Sequence, residues 1–262
     1  MVTGGFRVVP VPCLQDNYAY LVITGAGDAA VVDASEAAPV REALAREGVK
    51  TCAIWSTHHH WDHVGGNEEL AKEPGIEVVG HESDRGRLPG LTRGVDTGDT
   101  VRVGDVEARC IHIPGHTLGA VAYFVDGGEG KRAVFTGDTL FCSGCGRLFE
   151  GTPAQMHASL GKLLELPGDT RLYCGHEYTE SNLRFAAHCE PGNGDVKKAQ
   201  ERANELRAAG KPTVGTTLDE ERRVNPFLRV RETELRATLG IPANADDAEA
   251  FAQVRAAKDG FR

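Results

Sequence analysis

Apolar residues come in short runs broken by glycine and polar turns through the first two thirds of the chain, and at helical spacing thereafter. Phe6 to Val11, Tyr18 to Thr24 and Ala29 to Asp33 read as strands. Ser35 is a candidate N-cap for a helix through Glu47, which Gly48 ends. The run Thr51 to Thr57 is a short buried strand, and Val64-Gly65-Gly66-Asn67 opens a helix running to Lys72. Strands recur over Ile76 to Gly80, Thr100 to Gly104, Val106 to Ile113, Ala120 to Val125 and Lys131 to Thr136. Thr152-Pro153-Ala154-Gln155 is a capping box with proline at the first helical position, predicting a helix to about Leu166. Arg171 to Cys174 is the last strand.

Beyond Tyr178 the pattern predicts helices only, over Glu180 to Cys189 and Gly194 to Ala209, where Val196, Ala199, Ala203 and Leu206 keep one face apolar. Thr217-Leu218-Asp219-Glu220 is a second capping box, and Asp246 to Lys258 is a terminal helix. A strand-rich domain over residues 1–178 is therefore expected before a helical one over 179–262. No internal repeat or low-complexity tract interrupts this order.

Composition narrows the function classes. A net charge of −9 argues against nucleic acid as a partner, since phosphate neutralisation needs clustered lysine and arginine. No apolar stretch approaches the ~20 residues that span a bilayer, so no membrane partner is expected. The start Met-Val-Thr-Gly-Gly-Phe-Arg lacks the pattern of a signal peptide, and seven scattered cysteines do not form a disulfide framework. A cytoplasmic location is the expectation.

The chemistry concentrates in Thr57-His58-His59-His60-Trp61-Asp62-His63. Imidazole and carboxylate are ligands that borderline divalent ions prefer, and no packed core favours so many together. If the chain stays extended past Thr57, His58 and His60 point one way and His59 the other. One ion takes only about four ligands, so this cluster with distant partners suggests two ions sharing a site. Those partners are His116, Asp138 and His176, each in a tight turn at a strand end, where sheet folds collect functional groups. Thr97-Gly98-Asp99-Thr100 repeats the tetrad around Asp138 but follows no apolar strand, so Asp99 reads as a turn residue. Cys142-Ser143-Gly144-Cys145 reads as loop cysteines, and His59, His81, His112, His157 and His188 as surface or packing residues. Asp33, at a strand end, is a candidate to orient a metal-binding histidine.

These blocks resemble the metallo-β-lactamase superfamily and, within it, the glyoxalase II family of hydroxyacylglutathione hydrolases. The resemblance rests on Thr57 to His63, Pro114-Gly115-His116-Thr117, Gly137-Asp138-Thr139-Leu140-Phe141 and Gly144 to Gly151. It extends through Cys174 to Thr179, Asn225-Pro226-Phe227-Leu228-Arg229, Val254-Arg255 and Lys258-Asp259. It implies an α/β fold, the αβ/βα sandwich with a C-terminal helical domain. It also implies that His58, His60 and His116 hold one ion and Asp62, His63 and His176 the other, with Asp138 and a nucleophilic hydroxide bridging them. Asp62 and Asp138 would be the catalytic carboxylates. Zinc is the expected metal, with iron or manganese suiting the same ligands.

The substrate so implied is a glutathione thioester, S-D-lactoylglutathione, hydrolysed to D-lactate and glutathione in methylglyoxal degradation by a monomeric enzyme. A thiol of pKa about 8.5 departs as thiolate without a strong general acid, which favours a thioester over an amide. By resemblance Arg147, Phe149, Tyr178, Asn182, Arg255 and Lys258 bind the peptide. Arg147 and Phe149 depart from the lysine and tyrosine of some relatives, removing a phenol that could bond the peptide. The rival expectation is a mononuclear-iron glutathione persulfide dioxygenase of the same superfamily, whose members lack the long helical tail.

Overall fold

The computed structural model describes residues 5–261. The first half is built from β1 (Phe6–Cys13), β2 (Asn17–Thr24), β3 (Asp28–Val32), α1 (Ala37–Glu47), β4 (Lys50–Trp55), α2 (Trp61–Val64), α3 (Asn67–Leu70), β5 (Glu77–His81) and β6 (Arg93–Val95). The second contains β7 (Thr100–Val103), β8 (Val106–His112), β9 (Val121–Asp126), β10 (Arg132–Gly137), the short pair β11 (Leu140–Phe141) and β12 (Gly144–Cys145), α4 (Pro153–Leu164) and β13 (Arg171–Cys174). Helices α5 (Thr179–Cys189), α6 (Gly194–Ala208), α7 (Leu218–Val224), α8 (Thr233–Leu239) and α9 (Asp247–Gly260) complete it.

One sheet runs β1-β2-β3-β4-β5-β6, the other β13-β10-β9-β8-β7. Strands β1 to β3 pair antiparallel, whereas β3 to β6 are parallel to one another; β10 pairs parallel with β13. Alternation explains why the runs look uniformly apolar. Along β2, Tyr18, Tyr20 and Val22 face the other sheet and meet Tyr123 and Phe135, whereas Ala19, Leu21 and Ile23 face out toward Val40 and Leu44 of α1. The outer face of the second sheet, with Phe124, Val134 and Leu172, is covered by Met156, Leu160 and Leu163 of α4 and by Phe227, Phe251 and Val254 from the helical tail. The layers are thus helix, sheet, sheet, helix, the αβ/βα sandwich the sequence led us to expect, with helices at the C-terminal end.

Several boundaries shift. Glu36, not Ser35, precedes α1 and makes no side-chain cap, while Gly48 ends the helix in the left-handed region as its position suggests. The helix expected from Asn67 to Lys72 is one turn, ending at Leu70 ahead of Pro74-Gly75. Both capping boxes form. Strand β6 is concealed by its glycine, and α8 by its shortness, with Leu235 its one buried residue. Every sheet strand end that matters here opens toward the same rim.

Candidate metal centre and its cavity

Strand β4 delivers Ser56 to His60 to the rim, and α2 turns Asp62 and His63 back beneath them. The turn after β8 brings His116, the end of β10 brings Asp138, and the end of β13 brings His176. All seven converge. His60 Nδ1 lies 3.2 Å from His58 Nε2 and 3.0 Å from His116 Nε2. His176 Nε2 lies 3.5 Å and His63 Nε2 3.7 Å from Asp62 Oδ2. Asp138 stands between the groups, 3.3 Å from His63 Nε2, 3.4 Å from His116 Nε2 and 3.2 Å from His176 Nε2.

Buried partners fix which ring nitrogen faces inward. His58 Nδ1 meets Thr57 Oγ1 at 3.0 Å, and that hydroxyl donates to Asp33 at 2.7 Å. His63 Nδ1 is 3.0 Å from Asp33, His116 Nδ1 2.8 Å from the Arg147 carbonyl, and His176 Nδ1 2.9 Å from Asp16. Asn17 donates to the Asp62 carboxylate at 3.1 Å. The carboxylates behind His63 and His176 and the carbonyl behind His116 leave those Nε2 lone pairs for a cation. Asp33 adopts the role its position suggested, but Asp16 and Asn17 carried no motif; their only signal was a polar break between two apolar strands. Gly175 has no room for a side chain, since a methyl there would strike Asp138 and His63.

The electrostatics suit divalent cations. His63 Nε2 and Asp138 Oδ1 are buried with no hydrogen-bond partner, an arrangement that is destabilising unless a positive ion lies between them. Burial, His63 and the other rings keep His58 neutral well below the ordinary imidazole value; burial and His116 bring His60 down to about 4, and burial lowers His116. These three are ligand-ready. Burial opposes charge on Asp138, yet His63 and His176 hold it well below the usual carboxylate range. Against burial, Asp138 in turn raises His63 strongly and His176 to about 9, so protons there stand where a cation would displace them. The donor set thus fits resident metal.

His59 points away from the cage, as alternation required, but it is not an idle surface group: its Nδ1 lies 3.3 Å from buried Asp84. His81 and His112, read as surface or packing residues, pack against each other with ring centroids 4.1 Å apart. Both contacts join elements distant in sequence. Asp99 sits in a turn, accepting the Asp96 amide at 2.8 Å.

A cavity of about 650 Å³ opens over the cage. Tyr178 lies flat on His176, centroids 4.8 Å apart, and burial with Asp16 nearby pushes its phenol up to about 12. Phe149 is 64% exposed and sets its edge toward His60 and His116. Arg147 reaches along the rim to within 3.8 Å of Asp259. Asn182 is buried and donates to the Cys142 carbonyl at 3.1 Å. Arg255 and Lys258 share one face of α9, but the Arg255 guanidinium is engaged with the Cys145 carbonyl at 2.8 Å and Asp259 at 2.9 Å, with Nε unpartnered. Lys258 Nζ donates to the Ser181 carbonyl at 3.1 Å; burial, with Arg255 and Arg184 nearby, lowers it to about 8.

This sandwich with histidines and aspartates gathered at one rim defines a metallo-β-lactamase superfamily protein, and the model of that superfamily matches residues 15–176. The fold likeness includes ETHE1 from Myxococcus xanthus (25% identity, 97% of this chain and 98% of that one, TM-score 0.65). A protein solved in a di-iron-bound form is 32% identical over 65% of this chain and 91% of its own (TM-score 0.52). Within the superfamily the chain belongs to the hydroxyacylglutathione hydrolases, which are thioester hydrolases: the model described as hydroxyacylglutathione hydrolase C-terminus matches residues 177–261. Curated relatives bearing that name include one from Cupriavidus metallidurans, 50% identical over 98% of this chain and 99% of the relative. Another, from Methylococcus capsulatus, is 46% identical at the same coverage.

Proposed function

We propose that this hydroxyacylglutathione hydrolase cleaves S-D-lactoylglutathione to D-lactate and glutathione with two divalent ions per chain. His58, His60 and His116 would hold one ion, Asp62, His63 and His176 the other, and Asp138 both. The observation that carries this reading is Asp138, ionised and within 3.2–3.4 Å of imidazoles from both groups. When bound, the ions supply Lewis acidity, which yields a nucleophile from water near neutral pH and stabilises developing oxyanion charge.

The side chains do the rest. Asp62 and Asp138, the catalytic carboxylates, balance cationic charge and hold the reacting centre against the rim. Tyr178, a phenol at neutral pH, offers a hydrogen-bond donor to the peptide beside His176. Arg147, Phe149, Asn182, Arg255 and Lys258 bind the glutathione moiety, with Lys258, held at Ser181, offering its remaining N–H bonds to a carboxylate. Asn182 and Arg255 also hold the Cys142 and Cys145 carbonyls, so part of their contribution is to shape the floor. The thiolate leaves unprotonated.

In this reading residues 1–178 form the catalytic domain and 179–262 the substrate-binding one. Zinc is the proposed occupant; iron and manganese suit the same ligands, and the solved relative carrying two irons supports a two-ion count. A monomer in the cytoplasm is part of the proposal. The seven cysteines are free thiols, as a reducing compartment keeps them. Among the described residues no helix is long and apolar enough to cross a membrane. A single-iron persulfide dioxygenase leaves the Asp62, His63 and His176 group without a role. Metal analysis and thioester hydrolysis on one preparation test the reading: two ions and rapid turnover are expected, and a fully loaded yet inactive protein overturns it.

A further inference from the structure

A second cluster of imidazoles lies apart from the catalytic cage and shares no residue with it. His81 ends β5 and His112 ends β8, so the two come from different sheets, and Asp96 follows β6. Ligating atoms of all three lie within 4.8 Å of one another. The imidazole rings stack with centroids 4.1 Å apart and planes 18° apart. His81 is buried, only 7% exposed, and its Nε2 has no hydrogen-bond partner; the nearest anion is Asp96 Oδ1 at 3.6 Å.

We propose that His81, His112 and Asp96 form a third, peripheral site for a borderline divalent cation such as zinc, joining the edges of the two sheets. Neutral imidazole and carboxylate are the donors such ions take, and three of them leave a position for water. His112 donates Nε2–H to the Leu118 carbonyl at 2.8 Å, which leaves the lone pair on Nδ1. His81 Nδ1 lies 2.8 Å from Ser83 Oγ and accepts the Ser83 amide at 3.2 Å. With a cation on Nε2 the ring proton moves to Nδ1 and is donated to Ser83 Oγ, replacing the longer bond. Burial, with His112 beside it, already lowers the His81 proton affinity, so the ring is neutral at physiological pH. Asp96 is held by the Thr97 amide at 2.6 Å and stays ionised, its carboxyl lowered by that bond.

The metal-loaded enzyme, dialysed and then titrated with zinc against a chromophoric chelator, tests the site. Wild type is expected to bind one equivalent more than His112→Ala, while catalytic zinc and thioesterase turnover stay the same in both. Asp96→Asn, at a position with an exposed side chain, is expected to keep the fold and weaken the extra equivalent about tenfold. Saturating the site should raise the Tm of wild type and not that of His112→Ala. Equal stoichiometry in wild type and His112→Ala, or an extra equivalent unmoved by Asp96→Asn, overturns the proposal.

Discussion

Asp33 Oδ2 lies 3.0 Å from His63 Nδ1 and accepts the Thr57 hydroxyl at 2.7 Å, so one carboxylate supports residues of both proposed ligand groups. Asp33 itself sits in the left-handed region at φ 52°, which asparagine tolerates. Asp33→Asn is therefore expected to fold and to lose metal affinity by about 10–100-fold. Chelator competition measures it; unchanged affinity would mean that the carboxylate does not tune the site.

Gly175→Ala isolates the cage in a different way. The added methyl meets Asp138 and His63, whose positions the packed rim fixes. We expect about 1–3 kcal/mol of destabilisation. Bound metal should fall below wild-type stoichiometry, with turnover falling in proportion to metal lost. Full metal content with normal turnover would show that the rim yields.

Lys258 gives a pH signature. Its amine, lowered to about 8, is charged below that pH and neutral above it, so a substrate carboxylate loses its partner as pH rises. KM for the glutathione thioester is expected to climb above about pH 8 while kcat moves less. Lys258→Ala should raise KM by about tenfold at pH 7 and flatten the climb, in line with loss of one charge-assisted hydrogen bond. A KM in the variant equal to wild type would remove Lys258 from the binding set.

Glu221 links acidity to stability. Burial raises it to about 7, although the Ser143 amide, Thr216 hydroxyl and Asn225 amide donate to it. Because its folded value exceeds the unfolded one, the native state holds the extra proton between about pH 4.5 and 7, and stability drains away as pH rises through that window. The full effect is about 3 kcal/mol. Comparing Tm at pH 5.5 and pH 7.5, we expect Glu221→Gln to show a smaller decline than wild type. Parallel declines would place the pH sensitivity elsewhere.

The convergence of the seven rim residues was legible because chemistry and spacing coincide: His58, His60, Asp62 and His63 sit within one turn, and the three distant partners each follow a strand. Strands such as Tyr18 to Thr24 were legible because burial on both faces leaves a nearly uninterrupted apolar run. What escaped notice depends on tertiary approach. Asp16 and Asn17 become supports only when the β1–β2 turn meets β13. The His81–His112 stack forms only when the two sheets face each other, and His59 meets Asp84 only after the short turn at 82–84 folds beneath it. The resemblance places Arg255 in the peptide-binding set; its engagement with the Cys145 carbonyl appears only once α9 lies over β12.

The seven proposed ligands hang from both halves, three of them beyond strand ends of the second sheet and the rest beyond β4 of the first. Cations lodged among them would act as a clasp across the seam, so acquiring metal and closing the two halves become a single event. A chain stripped of its ions should gape first along that rim, long before either sheet frays.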